Sequence, residues 1–191
     1  MSAFFSIQAA FGLNWTTVLV GWEGLGVFSP WPSRWTEFPS LVSAEEVAVY
    51  ADERLASATA LSERDLVLKL VSVDWRTESR EAIRDLLKPL SDFDGKDPAI
   101  ELRKWRLVLL ERVLENMPQD SLYGLMALTE FWQGFGFPPD GPHQVQARGN
   151  EIGPKEYYTA ENFREALDRH RQWIEKEAAE LLADRGVRNA Q

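Results

Sequence analysis

Apolar residues recur along this chain at helical spacing, in segments that open with a capping residue and close at glycine or proline. A spacing of i, i+3, i+4 and i+7 places apolar side chains on one face of a helix. No period-two alternation indicates a strand, although short strands around Gln144 to Ala147 stay an alternative. The pattern predicts an all-α protein: a single compact helical domain of about seven helices with one long loop rich in aromatic residues, glycine and proline.

Start and stop signals place the seven helices. The first begins after Asn14 and ends near Gly24 or Gly26, and the second begins at about Ala44 behind a capping box of Ser43 and Glu46. The third and fourth helices open at Ser62 and at Thr77, and the end of the fourth is marked by Pro89 and then Gly95. The last three open at Asp97-Pro98, at Asp120 or Ser121, and behind Thr159. The last of them stops at Gly186. We therefore predict one domain over residues 1–186 and a disordered tail over 187–191.

The first 38 residues hold half of the tryptophans and half of the phenylalanines, but only Glu23, Arg34 and Glu37 as charged residues. We expect this segment to be buried, because its aromatic rings supply a large apolar volume. The stretch before Glu23 is not typical of a signal peptide or a membrane span, since no basic residue precedes it and polar residues interrupt it. We expect a cytoplasmic protein with no membrane segment.

Charge and cysteine content exclude several function classes. The chain has 30 acidic and 21 basic residues, a formal net charge of -9 and no cysteine. Its densest basic run, Arg103, Lys104 and Arg106, is flanked by Glu101 and Glu111, which is typical of a mixed solvated face. Because phosphate binding needs clustered bases, we expect no nucleic-acid partner, whereas a basic protein partner fits the charge. The lack of cysteine removes disulfides, thiol nucleophiles and cysteine-ligated metals.

The segment from Gly134 to Tyr158 is long for a loop in a compact domain. It contains five glycines and four prolines together with the aromatic residues Phe135, Phe137, Tyr157 and Tyr158. Loops of this length are usually functional or disordered, and the aromatic residues argue against disorder. We expect a packed loop and regard it as the first candidate for a functional surface.

Only two histidines offer acid–base chemistry. His170 lies on the apolar stripe of the last helix, where we expect a partly buried side chain satisfied by a neighbouring acid rather than a catalytic base. His143, three residues after Asp140, is the candidate acid or base, but no serine nucleophile or metal cluster accompanies it in the sequence.

Pairs of carboxylates spaced three residues apart raise the alternative of a magnesium site. Such pairs lie on one helical face and are the ligands of all-α pyrophosphohydrolases. The pairs here are Glu78/Glu81, Glu165/Asp168 and Glu177/Glu180. Since arginines interleave the second pair, we interpret it as ordinary surface ion pairs and expect no metal and no cofactor.

The order of short motifs resembles a known bacterial family. The residues that carry the resemblance are Trp15 with Gly21-Trp22-Glu23, Tyr50-Ala51, Lys104-Trp105-Arg106 with Leu109-Leu110, Glu130-Phe131-Trp132, Phe135-Gly136-Phe137-Pro138, Asp140 and Pro142, and a closing amphipathic helix. From about Asn14 to Glu177 the chain is similar to the domain of unknown function family 2247. The resemblance implies no catalytic residue, and the segment from Gly141 to Tyr158 is longer here than in family members.

Small, acidic, cysteine-free bacterial proteins without a catalytic motif are often antidotes to toxins, an argument by analogy. We therefore predict a non-enzymatic protein-binding module, an immunity-type inhibitor that neutralises a basic toxin domain. The partner-binding residues are expected in the long loop: Asp140, His143, Arg148, Glu151, Glu156, Tyr157 and Tyr158. The alternative is a small-ligand-binding protein or hydrolase whose pocket lies between loop 134–158 and the last helix. The oligomeric state is left open.

Overall fold

The computed structural model describes residues 2–24, 40–58, 60–146 and 152–188, which form nine helices. They are α1 (Ala3–Phe11), α2 (Trp15–Glu23), α3 (Ala44–Ser57), α4 (Leu61–Val71), α5 (Arg80–Asp94), α6 (Pro98–Asn116), α7 (Ser121–Gly134), α8 (Pro154–Tyr157) and α9 (Ala160–Arg188). These ranges contain no strand, so the all-α class is confirmed. Residues 144–146 do not form a strand, and Ala147 lies outside the described ranges. None of these helices combines the length and the apolarity needed to cross a membrane.

Most predicted helix starts are confirmed by side-chain caps. Asn14 Oδ1 accepts the backbone N–H of Thr17 at 2.8 Å, and Asp120 Oδ1 accepts that of Tyr123 at 2.9 Å. The capping box of Ser43 and Glu46 is present, with both reciprocal hydrogen bonds formed. Each cap satisfies backbone donors that the first turn of a helix leaves without partners. Local chemistry was therefore sufficient to place these helix starts.

The predicted starts of α4 and α5 are wrong. Helix α4 begins at Leu61 without a side-chain cap, and Ser62 lies inside it. Helix α5 begins at Arg80, because the side chain of Ser79 rather than that of Thr77 accepts the N–H of Ala82, at 3.1 Å. The error in α5 arose from choosing between two hydroxyl residues with the same capping chemistry, whereas α4 has no capping side chain that the sequence could reveal.

Pro89 does not mark the end of α5, which continues to Asp94 and stops at Gly95 in the left-handed conformation. A proline inside a helix removes one hydrogen bond and costs about 3 kcal/mol. The helix persists because its buried residues Ile83, Leu87 and Leu90 pack in a unit where α5 contacts α2 and α4. Tertiary packing here outweighs the local penalty of the proline.

Two helices, α1 and α8, were not predicted. Helix α1 lies in the stretch before Glu23, which was considered only as a signal peptide or membrane span and not as a helix of the fold. Its first turn is capped by Ser2. Helix α8 is a single turn inside loop 134–158. At the other end, α9 runs to Arg188, two residues into the predicted tail, and residues 189–191 lie outside the described ranges.

The described residues form two compact units, one up to Trp105 and one from Arg106 onward. In unit 1, α5 packs against α2 and α4, and α4 packs against α3. Trp15 and Trp105 are fully buried in this unit, and Gly21 is needed because a Cβ there would overlap the Trp105 ring. Of the aromatic residues in the described part of the tryptophan-rich segment, Phe4, Phe11, Trp15 and Trp22 are buried as expected and Phe5 is 37% exposed, while residues 25–39 lie outside the described ranges.

Unit 2 is built on the packing of α7 against α9. Gly124 sits at their contact, where a Cβ would overlap the Phe163 ring and lie 2.9 Å from the backbone oxygen of Pro118. Phe131 and Trp132 of α7 are buried at 0% and 1% exposure. The single domain predicted over residues 1–186 stays a prediction.

The basic run of α6 is not a solvated face, contrary to the sequence expectation. Glu101 is 2% exposed, and the side chain of Lys104 is 12% exposed and lies 2.7 Å from the Glu101 carboxylate. Thr17 Oγ1 donates to the same carboxylate at 2.5 Å. Arg106 is 6% exposed. Every residue of α6 from Trp105 to Leu110 is buried, so this helix is enclosed on all sides there, and the polar residues in and next to this stretch are carried into the interior and pair there.

Candidate functional site

Loop 134–158 is anchored to unit 2 by an ion pair between Asp140 and Arg106 of α6. Arg106 Nη1 and Nη2 donate to the two Asp140 carboxylate oxygens at 3.1 and 2.5 Å. On its other side, Arg106 Nη2 lies 3.4 Å from Oε1 of Glu177 on α9. The side chains of Arg106 and Glu177 are 8% and 5% exposed, whereas that of Asp140 is 51% exposed. Two carboxylates thus compensate a guanidinium that the fold has removed from water.

Two tryptophan rings flank the same guanidinium. Arg106 Cζ lies 5.0 Å from the ring centre of Trp173 and 5.9 Å from that of Trp132. Trp173 Nε1 donates to the backbone oxygen of Asp140 at 2.9 Å, and Gly141 lies against Trp132 so closely that a Cβ would be 3.1 Å from its ring. The stretch around Asp140 is therefore packed by cation–π, hydrogen-bond and van der Waals contacts together.

His143 lies where the loop meets α7. Its Nε2 is 2.8 Å from Thr129 Oγ1 and 3.4 Å from the hydroxyl of Tyr157. Thr129 Oγ1 donates its only proton to the backbone oxygen of Leu125 at 2.9 Å, and Tyr157 donates its proton to the backbone oxygen of Gln144 at 2.7 Å. Both hydroxyl oxygens can therefore only accept from the imidazole, so His143 carries its proton on Nε2.

The other ring nitrogen of His143 is consequently a lone-pair acceptor. This Nδ1 atom is buried and has no hydrogen-bond partner among the described residues. Burial, with smaller contributions from the neighbouring His170 and Arg169, lowers the pKa of His143 to about 3. The cationic form would place a second N–H on Nδ1 in a buried position, which is why the neutral form is favoured.

Among the described residues no acidic side chain bonds His170, so the sequence expectation is corrected. It is fully buried, its Nε2 accepts from Trp132 Nε1 at 2.8 Å, and its Nδ1 lies 2.6 Å from the backbone oxygen of Ala166. Since Nε2 accepts, Nδ1 must carry the proton and donate it to Ala166. Burial lowers the pKa of His170 to about 4. The two imidazoles, with ring centres 5.5 Å apart, are thus both neutral, with opposite tautomers.

The remaining predicted site residues are spread over different environments. Tyr157 is buried at 2% exposure and packs edge-on against Tyr158, so in this structure it is a packing residue. Glu156 is exposed, and its carboxylate accepts the backbone N–H of Gly153 at the start of α8, at 3.4 Å. Arg148 and Glu151 lie outside the described residues. The structure brings Asp140, His143, Tyr157 and Tyr158 into one packed loop.

An exposed apolar surface on α7 was missed by the sequence analysis. Leu122, Tyr123 and Met126 are 42%, 60% and 49% exposed, although Leu122 and Met126 fit the apolar stripe of the predicted helix. We call these three residues the α7 surface. Helix α7 is apolar on most sides, and sequence spacing does not tell which of several apolar stripes packs against α9. The neighbouring Ser121 Oγ donates to the backbone oxygen of Tyr158 at 3.0 Å, so this surface lies beside the end of α8.

Arg106 and Thr129 were also missed as site residues. Thr129 carried no sequence signal, because threonine is common on helices. Arg106 did carry a sequence signal, since it stands directly between Trp105 and the apolar run Leu107 to Leu110. An arginine within such a run is usually buried and paired.

The carboxylate pairs do not form a metal centre in the described part of the chain. Glu165 and Asp168 lie 3.7 and 3.3 Å from Arg169 and Arg171 as exposed ion pairs, as the sequence predicted for them. The Glu177 carboxylate forms an ion pair with Arg106. No group of three or more histidine or acidic side chains within the described ranges is arranged to hold a metal ion.

Comparison with family models gives a match over most of the chain. A family model described as "Uncharacterized protein conserved in bacteria (DUF2247)" matches residues 5–178. No curated protein and no solved structure matches this chain. The matched span runs from α1 into α9 and includes the Arg106 and His143 clusters and the α7 surface.

Proposed function

We propose that this chain, which belongs to the DUF2247 family, is a non-enzymatic protein-binding module of the immunity type that neutralises a basic toxin domain. The observation that carries the proposal is the α7 surface, where Leu122, Tyr123 and Met126 are 42%, 60% and 49% exposed. Tyrosine and methionine are enriched at the centres of protein interfaces, and tyrosine is a frequent energetic hot spot. A contiguous exposed apolar patch of this kind is typical of an interaction site.

The charge of the chain favours a basic partner. Asp120, Glu156 and Glu161 are exposed close to the first turns of α7, α8 and α9, the same end of unit 2 as the α7 surface. Both units carry more acidic than basic residues, consistent with the net charge of -9. Such a field attracts a basic protein and speeds its association, while the apolar residues hold the complex together.

The hydrogen bonds of the loop support a non-enzymatic role. The protons of Thr129 and Tyr157 are both donated to backbone carbonyls, and the His143 atom that faces them is a donor. Neither hydroxyl therefore faces a base that could activate it as a nucleophile. The arrangement fastens a loop to a helix, which is what a rigid binding surface requires.

The test begins with capture of the tagged protein's partner from its native bacterium, followed by expression of that partner in a host strain with and without this chain. We expect the partner to be basic, to stop growth when expressed alone, and to be harmless when this chain is co-expressed. A partner that is acidic, or whose expression leaves growth unaffected, would refute the immunity role. Raising the ionic strength should slow association of a true partner several-fold.

Variants of the α7 surface then locate the interface. Replacing Tyr123 and Met126 together by serine should weaken binding at least about tenfold and abolish growth rescue. The matched control is Phe93→Ser, which removes an equally exposed apolar side chain (49%) from α5 in unit 1 and should leave binding unchanged. Equal binding by the control and the double variant would place the interface elsewhere.

Charge reversal tests the acidic residues predicted from the sequence, but Asp140 must be left out. A lysine at this position would repel Arg106 and remove the ion pair that anchors the loop. A loss of binding could then not be distinguished from a loss of the loop structure. Reversal of Glu151 and Glu156, with the exposed Glu161, avoids this confusion. We expect the triple variant to associate more slowly at low salt, with the difference disappearing at high salt.

A small-ligand-binding protein or hydrolase is the second candidate, favoured by one observation. The Nδ1 atom of His143 is a buried acceptor without a partner among the described residues, beside the predicted pocket wall of loop 134–158 and α9. A ligand that donates to this atom would raise the melting temperature, since binding to the folded state stabilises it. A panel of nucleotides and divalent metals tests this, with His143→Phe as the variant in which any shift should disappear.

A further inference from the structure

Helices α1 and α3 lie side by side in unit 1. The ring centres of Phe4 and Tyr50 are 6.3 Å apart, and Gln8 Nε2 donates to Glu53 Oε2 at 3.2 Å. The residue numbers of the two pairs rise together, so the helices run parallel. Phe4 and Tyr50 are buried, whereas the hydrogen bond between Gln8 and Glu53 is exposed. The two pairs therefore mark the inner and the outer side of this helix contact.

Two apolar side chains that the core does not use lie on the outer side of the contact. Phe5 and Val49 are 37% and 45% exposed. Phe5 stands one turn before Gln8 on α1, so it lies on the same side of its helix as the exposed hydrogen bond. Val49 likewise stands one turn before Glu53 on α3. Because the helices are parallel, Phe5 and Val49 flank one stretch of surface.

Val49 is surrounded by acidic residues. Glu45, Asp52 and Glu53 stand four residues before it, three after it and four after it, which are the nearest positions on the surface of a helix. All three are exposed, and neither Glu45 nor Asp52 forms an ion pair among the described residues. Helix α1 has no charged residue, and the basic residue of α3, Arg54, pairs with a carboxylate of α4. We define the α1/α3 surface as Phe5, Val49, Glu45, Asp52 and Glu53.

We propose that the α1/α3 surface binds a basic amphipathic helix of a partner protein. The apolar side of such a helix covers Phe5 and Val49, and lysine or arginine residues along its edges meet the three acids. Binding of a helix fits this place, because two parallel helices leave a shallow groove between them. An extended peptide would need a sheet edge, and the described residues form no strand.

The charges of the α1/α3 surface argue against other occupants. Two copies of this chain that met through it would bring like charges together, which opposes association. Nucleic acids and anionic membranes are repelled for the same reason. A basic protein segment is favoured both by apolar contact and by charge. The α1/α3 surface belongs to unit 1 and the α7 surface to unit 2, so this proposal does not depend on the proposed function.

A synthetic peptide tests the proposal without the natural partner. The probe is a fluorescently labelled helix of leucine and lysine with the leucines on one face, titrated with the full chain and followed by fluorescence anisotropy. We expect a dissociation constant on the order of 10 µM at low ionic strength, and binding several-fold weaker at high ionic strength. No binding of this peptide at low ionic strength would overturn the proposal.

Two peptides of the same pattern separate apolar contact from charge. Replacing every lysine by glutamate should abolish binding, because the peptide then has the same charge as the surface. Replacing every leucine by alanine keeps the charge and the helix but removes the large apolar side chains, and should weaken binding at least about tenfold. Equal binding of the leucine and alanine peptides would show attraction by charge alone and contradict the proposal.

Charge variants of the protein locate the bound peptide. The double variant Glu45→Gln, Asp52→Asn removes two exposed acids seven residues apart on α3. The matched control Asp85→Asn, Asp92→Asn removes two exposed acids at the same spacing on α5, so both variants change the net charge equally. We expect the first to bind the peptide about fivefold more weakly and the control to bind nearly like the unchanged chain. Equal weakening by both would refute binding at the α1/α3 surface.

A variant of Val49 tests the apolar centre. Val49→Ser should weaken binding of the leucine–lysine peptide about fivefold, because the peptide then loses an apolar contact. The matched control is Leu182→Ser, which changes a leucine of α9 that is 49% exposed and should leave binding unchanged. Unchanged binding by Val49→Ser would place the peptide elsewhere on the protein and overturn the assignment.

Discussion

The two buried imidazoles of unit 2 should make the stability of this protein strongly dependent on pH. Burial lowers the pKa of His143 to about 3 and that of His170 to about 4. In the unfolded chain both side chains titrate near their ordinary value of about 6.5. Below that pH the unfolded chain binds protons that the folded chain excludes, so acidification favours unfolding until the folded-state pKa values are reached.

The magnitude follows from these values. Between about pH 6.5 and 4, each histidine should lower the free energy of unfolding by about 1.4 kcal/mol per pH unit. At about pH 5 this amounts to about 2 kcal/mol for each histidine and about 4 kcal/mol for both. A domain with a typical stability of roughly 5–15 kcal/mol would lose a large part of it.

Urea unfolding followed by tryptophan fluorescence at about pH 7.5 and about pH 5 measures this effect. We expect His143→Gln, which removes one titrating group, to halve the fall in stability, and the double variant with His170→Gln to remove nearly all of it. Burial raises the pKa of the Asp94 and Glu111 carboxyls, which opposes the loss of stability on acidification, but this contribution is shared by the unchanged chain and both variants and cancels when they are compared. Equal stability of the unchanged chain at the two pH values, or an undiminished fall in the double variant, would refute the assignment of neutral imidazoles.

Two further expectations concern packing and the loop. Gly124→Ala should destabilise the fold by about 1–3 kcal/mol, because its Cβ would overlap Phe163, whereas the control Gly153→Ala, with nothing within 4 Å of the new Cβ, should be neutral or slightly stabilising in thermal unfolding. Asp140→Ala should cost about 1–3 kcal/mol, because Arg106 stays buried with only one carboxylate, and unchanged stability would show that the ion pair contributes nothing.

Family membership and fold class could both be read from the sequence. The predicted resemblance rested on short motifs from Trp15 to the last helix, and the family match over residues 5–178 confirms it. The function and the partner-binding residues stay predictions, because no motif in the chain has a chemistry specific enough to name a reaction or a partner. The pairing of Arg106 with Asp140 was beyond sequence reasoning, since the two residues are distant along the chain and come together only when α6 meets the loop.

The sequence by itself determined where most of the longer helices begin, because capping signals are local. Caps such as Asn14, Ser43 and Asp120 act on backbone groups two or three residues away, and their effect does not depend on what surrounds the helix. Only the tertiary structure decided which sides of the apolar helices are buried, that α5 continues through Pro89, and that His170 bonds a tryptophan instead of an acid. Burial and partner choice depend on residues that are far apart in sequence, so packing energy decided them.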